Sequence, residues 1–596
     1  MENGQDTQER LKKENDREAK RLKPSSTSPS QLLQELILPQ VLASVEQVRA
    51  AYASSKPYPH AALPQVFQTD FINAAISEIQ HNSKVNFKES DLFRVYQSMD
   101  LANLTESEHA AAMPNVWKLR QILYSTEWRN YIETVCGLPS GTLIDKVDCA
   151  CNCHIDGCHL LCHDDVIGTR KVSYIIYMTD ENWKAEEGGA LELYDKVKAP
   201  GSDNEYVPHA IPSTTHLPMR NSMAFFVVEP GVSFHAVQEV FGDRPRLTLQ
   251  GWYHAAEPPA TIEKATLQRL KDRQDSDALT FEPYPPPTAA TPAVDDDDIT
   301  ISDDDKAYLA KYVQSTYLKP ESIKEIRSRF EEESSVQLRE FLNEEWAEKM
   351  SKLLVREDKE DHKSIHDPEY YNQGIKDGWV LIGPAHKQRF LEYQSGPSDR
   401  NGASTTGSLM EKLRTELLQS PQFRRFLAVL TQLGEPTGYC GTIRRFRRGL
   451  DYTVAHHGLL MDDSVLDATL CFVAGRGKDV QTDLEQEDSS EIHEADVQWQ
   501  SGDYGGFECY IAADEEDGPT VAADEYNEDD DTELLSVSAS NNTLNIVFRD
   551  QGTMRFVKYV GSKAPSSRYD IAMVYQVQQD EEEADTGDVT EAGQTD

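Results

Sequence analysis

Residues 149–165, CACNCHIDGCHLLCHDD, hold five of the nine cysteines and three of the sixteen histidines of the chain. Two metal chemistries compete for this stretch. A zinc site would draw on Cys149, Cys151, Cys153 and Cys158 or His159, whose cysteine spacings run C-x-C-x-C, C-x4-C and C-x3-C. None is the paired CxxC knuckle that marks structural zinc. Without zinc, these thiols are small, half-buried side chains of a loop and strand edge, some of them open to oxidation if iron and O2 meet nearby. The second chemistry uses only the end of the stretch. With His163–Asp165 extended, His163 and Asp165 project to one face and Asp164 to the other. A third ligand is then expected from a later inward-facing strand, and His235 in VSFHAVQEV, after the EPG turn, supplies it. Two histidines and one carboxylate leave coordination positions open, the arrangement of non-haem Fe(II) oxygenases, whereas structural zinc takes a closed tetrahedral set. His163 cannot serve both metals.

Arg246 opens RLTLQGWYH and shares a strand face with Thr248. A guanidinium fork with a hydroxyl beside it suits one end of a dicarboxylic co-substrate whose other end chelates the metal. Each residue alone has an ordinary explanation: HxD is common, a buried histidine is usually hydrogen-bonded core, and a strand arginine usually pairs with an acid. The ordered set of HxD, His and Arg on successive strands is far more specific than its members.

The elements that must carry these residues are legible in the pattern. SQLLQELILPQVLASVEQVRAAYAS, DFINAAISEIQHN and NVWKLRQILYSTEWRNYIETVCGL have helical periodicity, the first broken at Pro39. After Gly141 the period shortens: KVSYIIYM, ALELYD, SMAFFVV, VSFHAVQEV and RLTLQGWYH read as strands between Gly, Pro and Asp turns. Helices followed by many short strands predict an α+β fold, mostly β: an antiparallel barrel or jelly roll with helices packed outside. The second half repeats the first. LRQILYSTEWRNYI matches LRTELLQSPQFRRFL, WKAEEGGALELY matches WQSGDYGGFECY, and NSMAFFVVEPGVSFHAV matches NTLNIVFRDQGTMRFVK, all in the same order. In the second copy HDD becomes His456–Gly458, HHG; His235 falls opposite Phe556, or Arg555 if the alignment slips by one; and Arg568 stands where Arg246 does. Iron binding is not expected there.

The expected organisation is a charged, disordered tail over 1–29, a metal-bearing domain over 30–257, a Pro/Asp-rich linker over 258–301, a degenerate second domain over 302–578 beginning at the N-cap Ser302, with an acidic loop at 512–532, and an acidic tail over 579–596. The net charge is −43, which argues against general affinity for nucleic acid or anionic membranes and favours a basic protein partner. Apolar runs such as MAFFVV are too short to span a bilayer, the opening residues show no signal-peptide core, and nine cysteines, an odd number with five crowded together, suit a reducing compartment.

LLCHDDVIGTRKVSYIIYMTD, GGALELYD, SFHAVQEV and RLTLQGWYH closely resemble the Fe(II)- and 2-oxoglutarate-dependent prolyl hydroxylases that act on ribosomal proteins, and the likeness runs from about Ser30 to Val577. The resemblance implies two tandem double-stranded β-helix domains, the N-terminal one catalytic and the C-terminal one degenerate. It implies Fe(II) on His163, Asp165 and His235, 2-oxoglutarate on Arg246 with Tyr177 and, less directly, Thr248, O2 as co-substrate, and L-ascorbate as reductant. His154 departs from the tyrosine that related sequences tend to carry at this point. The implied reaction is prolyl 3-hydroxylation, extending to 3,4-dihydroxylation, in a small-subunit ribosomal protein of the decoding centre. Nucleus and cytoplasm are the implied compartments, with partners in translation termination, at mRNA tails or in oxygen-dependent regulation. The competing expectations are an interaction protein working through its second domain, and a zinc-stabilised binding module.

Overall fold

The computed structural model describes residues 28–98, 100–103, 111–199, 205–265, 270, 279–285, 301–394, 404–474, 499, 504–513 and 533–577. The N-terminal tail, the acidic loop and the acidic C-terminal tail lie almost entirely outside the described residues, as does much of the linker.

The first half builds an antiparallel sheet from β1 (His60–Leu63), β2 (Val85–Glu89), β3 (Phe93–Ser98), β4 (Ala150–His154), β5 (His159–His163), β6 (Arg170–Tyr177) and β7 (Leu191–Leu193). A side hairpin, β8 (Lys196–Lys198) with β9 (Tyr206–Pro208), precedes β10 (Thr214–His216), β11 (Met223–Val227), β12 (His235–Val237) and β13 (Arg246–His254). Among the described residues the order is β1-β11-β6-β13-β4-β3-β5-β12-β7-β10, with β2 paired to β3. The sheet curls into a nearly closed barrel. Its two end strands meet where His60 Nε2 lies 2.8 Å from His216 Nε2. His60 Nδ1 faces the Tyr58 carbonyl and must therefore carry its proton, so His60 Nε2 accepts from His216.

Strand alternation sorts the side chains. On β6 and β13, Val172, Tyr174, Ile176, Leu247, Leu249 and Tyr253 join the core with the helices, while Ser173, Tyr177, Arg246 and Thr248 alternate with them on the other face. The helical layer includes Thr69–Asn82, Pro114–Leu123 and Thr126–Cys136, whose buried members Ile72, Ile76 and Ile79, then Val116, Leu119 and Leu123, then Trp128, Ile132 and Val135 fall at helical spacing. Ser125 caps the last of these by accepting from Trp128 N, and its counterpart in the second half, Ser420, accepts from Phe423 N. The sequence repeat is thus also a repeat of local hydrogen bonding.

One expectation needs correcting. Strands do not begin after Gly141, because β1, β2 and β3 precede it. VNFKE and FRVYQS escaped the pattern because β2 has no buried residue and β3 only two, so neither shows a clean apolar alternation.

The second half forms its own core, from Tyr284 to Tyr575, around a nine-stranded sheet and a three-stranded one made of Glu508–Ala512, Glu533–Val537 and Thr553–Val557. Ser302 caps the helix Asp303–Leu309 as expected, accepting from Asp305 N at 3.1 Å. The two halves meet along β5, β7 and β12. Leu161 packs with Tyr452, Val454 and Tyr559, and Cys162, Phe234 and Ala236 pack with Ala385. Glu192 accepts the Tyr371 hydroxyl, and Asp91 accepts from Ala455 N at 3.0 Å. Glu239, 3% exposed, accepts from Ser562 N, Ser562 Oγ and Tyr559 Oη at 2.9, 3.0 and 3.1 Å. Among the described residues no helix is long and apolar enough to cross a membrane.

Burial raises the Glu239 carboxyl to about 7, against the Ser562 and Tyr559 hydrogen bonds that lower it. A folded-state value above the unfolded one, about 4.3, gives stability that is fully present below the unfolded value and is lost as pH rises through about 7. Thermal melting followed between about pH 5 and pH 8 is therefore expected to show wild-type stability falling relative to Glu239→Gln; parallel curves would contradict it.

Candidate active site

His163 ends β5 and His235 begins β12, and the two are paired across the strands. The pairing then slips: Val237 faces Leu160, so β5 spends an extra residue against β12. This bulge lets Leu160 and His163 both face the cleft while Leu161 and Cys162 both turn to the second domain. Asp165 lies beyond the strand with φ of 62°, in the left-handed region. The expectation of an extended His163–Asp165 is corrected here. The two side chains converge through a left-handed turn, a conformation Asp tolerates better than most residues, and strand alternation plays no part.

His163 Nε2 lies 3.2 Å from Asp165 Oδ1, and His235 Nε2 lies 3.3 Å from Asp165 Oδ2. Each imidazole has its Nδ1 against a backbone carbonyl, Leu161 O at 2.7 Å and Ser233 O at 2.8 Å. A carbonyl only accepts, so both Nδ1 atoms carry protons, and both Nε2 atoms point at the carboxylate. Burial would raise the Asp165 carboxyl, but the two imidazoles, His235 foremost, hold it well below the usual range. Among the described residues these three form the only group of at least three such side chains able to share a metal ion, their ligand atoms lying within 4.8 Å of one another.

The zinc alternative has no such convergence. Cys149 and Cys151 sit on the helix-facing side of the sheet and Cys153 packs partly buried beside them, while Asn152 and His154 of the same strand line the cleft. Burial raises the Cys149 thiol to about 12 and the Cys158 thiol to about 11, so these are protonated, inert thiols rather than reactive thiolates.

Arg246, wholly buried, pairs in register with His154. Its Nε donates to Gly189 O at 2.7 Å, whereas Nη1 and Nη2 have no hydrogen-bond partner. Tyr177 Oη, both ring nitrogens of His154 and Asn152 Oδ1 are likewise buried without partners. The Arg246 guanidinium carbon lies 5.3 Å from the Tyr177 ring centroid. Burial, and then the nearby Arg246 charge, keep His154 neutral, well below its ordinary value. A buried cation, a phenol and a neutral imidazole, all with hydrogen-bonding capacity to spare, form a cradle for a small carboxylate. Thr248 is placed beside them, but its hydroxyl donates to Asn152 O at 3.3 Å, so it holds β13 to β4. Asn152 was missed as a candidate, and His154 was singled out only as a departure from the tyrosine of related sequences. Their signal was present in the sequence, since alternation puts them opposite Cys151 and Cys153.

The second half shows what replaces this site. Gly188 and Gly189 correspond to Gly505 and Gly506, all with positive φ. Leu193, four residues after Gly189, pairs with His235; Tyr510, four after Gly506, pairs with Arg555. Of the two alternatives, Arg555 is thus the counterpart of His235. It donates to Glu508 Oε1 at 2.8 Å and lies 3.0 Å from Asp467. Arg568 repeats the glycine contact of Arg246, donating to Gly506 O at 2.5 Å, but Asp570 sits 3.0 Å from it. Burial would raise the Glu508 carboxyl; Arg555, Arg568 and Arg444 outweigh it and hold it at about 2. An internal ion network occupies the second barrel where the first keeps ligating groups.

A nearly closed antiparallel barrel with a two-histidine, one-carboxylate site defines a class, and residues 149–254 match the 2OG-Fe(II) oxygenase superfamily. Residues 304–583 match the family described as oxoglutarate and iron-dependent oxygenase degradation C-term. The chain is 37% identical to prolyl 3,4-dihydroxylase OGFOD1 of Ostreococcus tauri, over 87% of this chain and 95% of that protein. It is 27% identical to prolyl 3-hydroxylase sudestada1 of Drosophila melanogaster, over 89% of this chain and 84% of that one, and 28% identical to prolyl 3-hydroxylase OGFOD1 of Xenopus laevis, over 86% and 84%. The chain belongs to the OGFOD1 family of prolyl hydroxylases.

A desolvated guanidinium whose terminal nitrogens lack partners is costly to the ligand-free protein. Arg246→Met is therefore expected to melt at or above the wild-type temperature when both are ligand-free, by differential scanning calorimetry. A loss of more than about 1 kcal/mol would mean that the charge is satisfied internally.

Proposed function

We propose that the first barrel is the catalytic unit, with His163, Asp165 and His235 holding Fe(II) and Arg246 and Tyr177 binding the distal carboxylate of 2-oxoglutarate, and that the second barrel is non-catalytic. The observation that carries this reading is the pairing of an open two-histidine, one-carboxylate triad with the buried, partly unpartnered Arg246. The residues fit both groups. The triad offers two convergent Nε2 atoms and a carboxylate, and the Arg246 fork matches a carboxylate in shape and charge. When bound, Fe(II) with 2-oxoglutarate and O2 supplies an oxidant that inserts one oxygen atom into a substrate C–H bond, the other oxygen entering succinate as CO2 is released.

The chain's own residues do the positioning. The Leu161 and Ser233 carbonyls hold the Nδ1 protons of His163 and His235 and turn both Nε2 atoms toward Asp165, so Nε2 is the ligating atom of each ring. Tyr177, whose hydroxyl burial keeps protonated, donates toward a carboxylate on Arg246. His154 stays neutral beside them and adds a hydrogen bond without a second positive charge. No general acid or base is required, and the task of the cleft is to hold the target carbon against the metal and exclude water.

The substrate is a prolyl residue of a protein, the reaction that the names of the relatives describe. We take that protein to be a basic component of the small ribosomal subunit; the net charge of −43 supports the basic partner and the resemblance of the sequence motifs supports the ribosome. The counterpart residues Arg555 and Gly458 support a second barrel without a metal.

Oxygen-free protein loaded with Fe(II) and 2-oxoglutarate, then given O2 and a proline-containing ribosomal peptide, is expected to add oxygen to proline by mass spectrometry, and His163→Ala to remain at background. Equal incorporation by the two proteins would end the enzymatic reading of this site. Separately, 2-oxoglutarate at about 100 times its dissociation constant should stabilise the Mn(II)-loaded protein by about 2.7 kcal/mol, a shift that Arg246→Met should lose.

A further inference from the structure

The hydrogen bond between Glu239 and Tyr559 joins the two halves at corresponding positions. Gly188 bridges Val240 in the first barrel, and Gly505 bridges Val560 in the second. The residue before each valine, Glu239 or Tyr559, offers its carbonyl to the second glycine of its own pair: Gly189 N to Glu239 O at 3.0 Å, and Gly506 N to Tyr559 O at 3.3 Å, the latter shared with Lys558 O at 3.2 Å. The approach is close enough to require glycine, since a Cβ on Gly188 would fall 2.0 Å from Glu239 O and one on Gly505 1.9 Å from Tyr559 O. Each second glycine then offers its own carbonyl to the barrel's arginine, Gly189 O to Arg246 Nε at 2.7 Å and Gly506 O to Arg568 Nη1 at 2.5 Å. Arg246, Gly189 and Glu239 therefore form a chain of contacts that continues across the interface into Tyr559, Gly506 and Arg568. The link is like to like, as at the centre of an isologous dimer contact.

Three features make this chain more than incidental packing. The Glu239–Tyr559 contact is buried on both sides, at 3% and 8% exposure. Ser562 adds two further donors to the same carboxyl, so that one side chain collects three hydrogen bonds from the other domain. And the Gly189 carbonyl accepts from Arg246 Nε at 2.7 Å while Nη1 and Nη2 have no acceptor among the described residues, so a shift of Gly189 is felt directly at the guanidinium.

We propose that Glu239 is a positioning residue for co-substrate binding: the second barrel, through Tyr559 and Ser562, holds Glu239 and with it Gly189, and so fixes the Arg246 fork for a dicarboxylate. This gives the second domain a part in binding the co-substrate although it holds none of the proposed ligands. The inference rests on the reading of Arg246 under Proposed function.

The test places the change in the domain that does not touch the co-substrate. Full-length Tyr559→Phe/Ser562→Ala, loaded with Mn(II) without O2, is titrated calorimetrically with 2-oxoglutarate beside the wild type. The dissociation constant is expected to rise by at least about fivefold, the lower end of coupling between sites. In turnover the KM for 2-oxoglutarate should rise with it while kcat stays within about twofold, because only ground-state holding of the co-substrate is altered. Glu239→Gln, which keeps an acceptor for Ser562 N, should bind within about twofold of the wild type, and Glu239→Ala should follow the double variant. If Glu239→Ala does not fold, the double variant decides. A double variant that is less heat-stable yet binds 2-oxoglutarate as the wild type does shows a merely structural contact and overturns this inference alone. A wild type that binds no 2-oxoglutarate overturns the reading of Arg246 and this inference together.

Discussion

A guanidinium fully withdrawn from water, with one backbone carbonyl and the Tyr177 ring beside it and no acid to pair with among the described residues, is the constraint on which the rest of this structure turns. Arg246 can be kept there only by a framework stiff enough to resist letting water in or letting the side chain out. The strand pairing of β13 with both β4 and β6, the close contact at Gly189 and the hydrophobic layer beneath Leu247 and Leu249 all serve that end. The second barrel shows the relaxed alternative. There the equivalent arginine has an aspartate of its own, and its neighbours have become a closed set of charges that asks for nothing from outside.

Much of the site was legible because the signals were strictly local or strictly periodic. His163 and Asp165 are two residues apart, and His235 and Arg246 each open a strand, so type and spacing alone brought them together. The three motif pairs that recur in the same order betrayed the duplication for the same reason, and the glycine pairs and capping serines lie within them. What the periodicity missed was set by departures from it. The bulge between β5 and β12 and the left-handed Asp165 break alternation at the very residues proposed to hold the metal, as irregularities often do beside active sites. β2 and β3 were invisible because a strand with few buried residues leaves no apolar rhythm to read.

His154 and Asn152 illustrate a different limit. Once β4 is known to be a strand, their inward orientation follows from the outward one of Cys151 and Cys153. The density of cysteines drew attention to the face with no ligand chemistry. Asn152 and His154, the alternate residues of the same strand, are the ones left with unsatisfied hydrogen-bonding groups beside Arg246. Residue type is a good guide to what a position could do, but only register says which side of the wall it stands on.

That wall has a consequence of its own. An enzyme that activates oxygen on one surface of a sheet keeps Cys149 and Cys151 on the opposite surface, under helices, with the strand backbone between them. An oxidant escaping from the cleft meets imidazole, amide and phenol before any of this sulfur, and one arriving from solvent meets the helical layer first. These thiols are therefore shielded on two sides by the architecture, and their reactivity reports the opening of the barrel rather than the traffic through it.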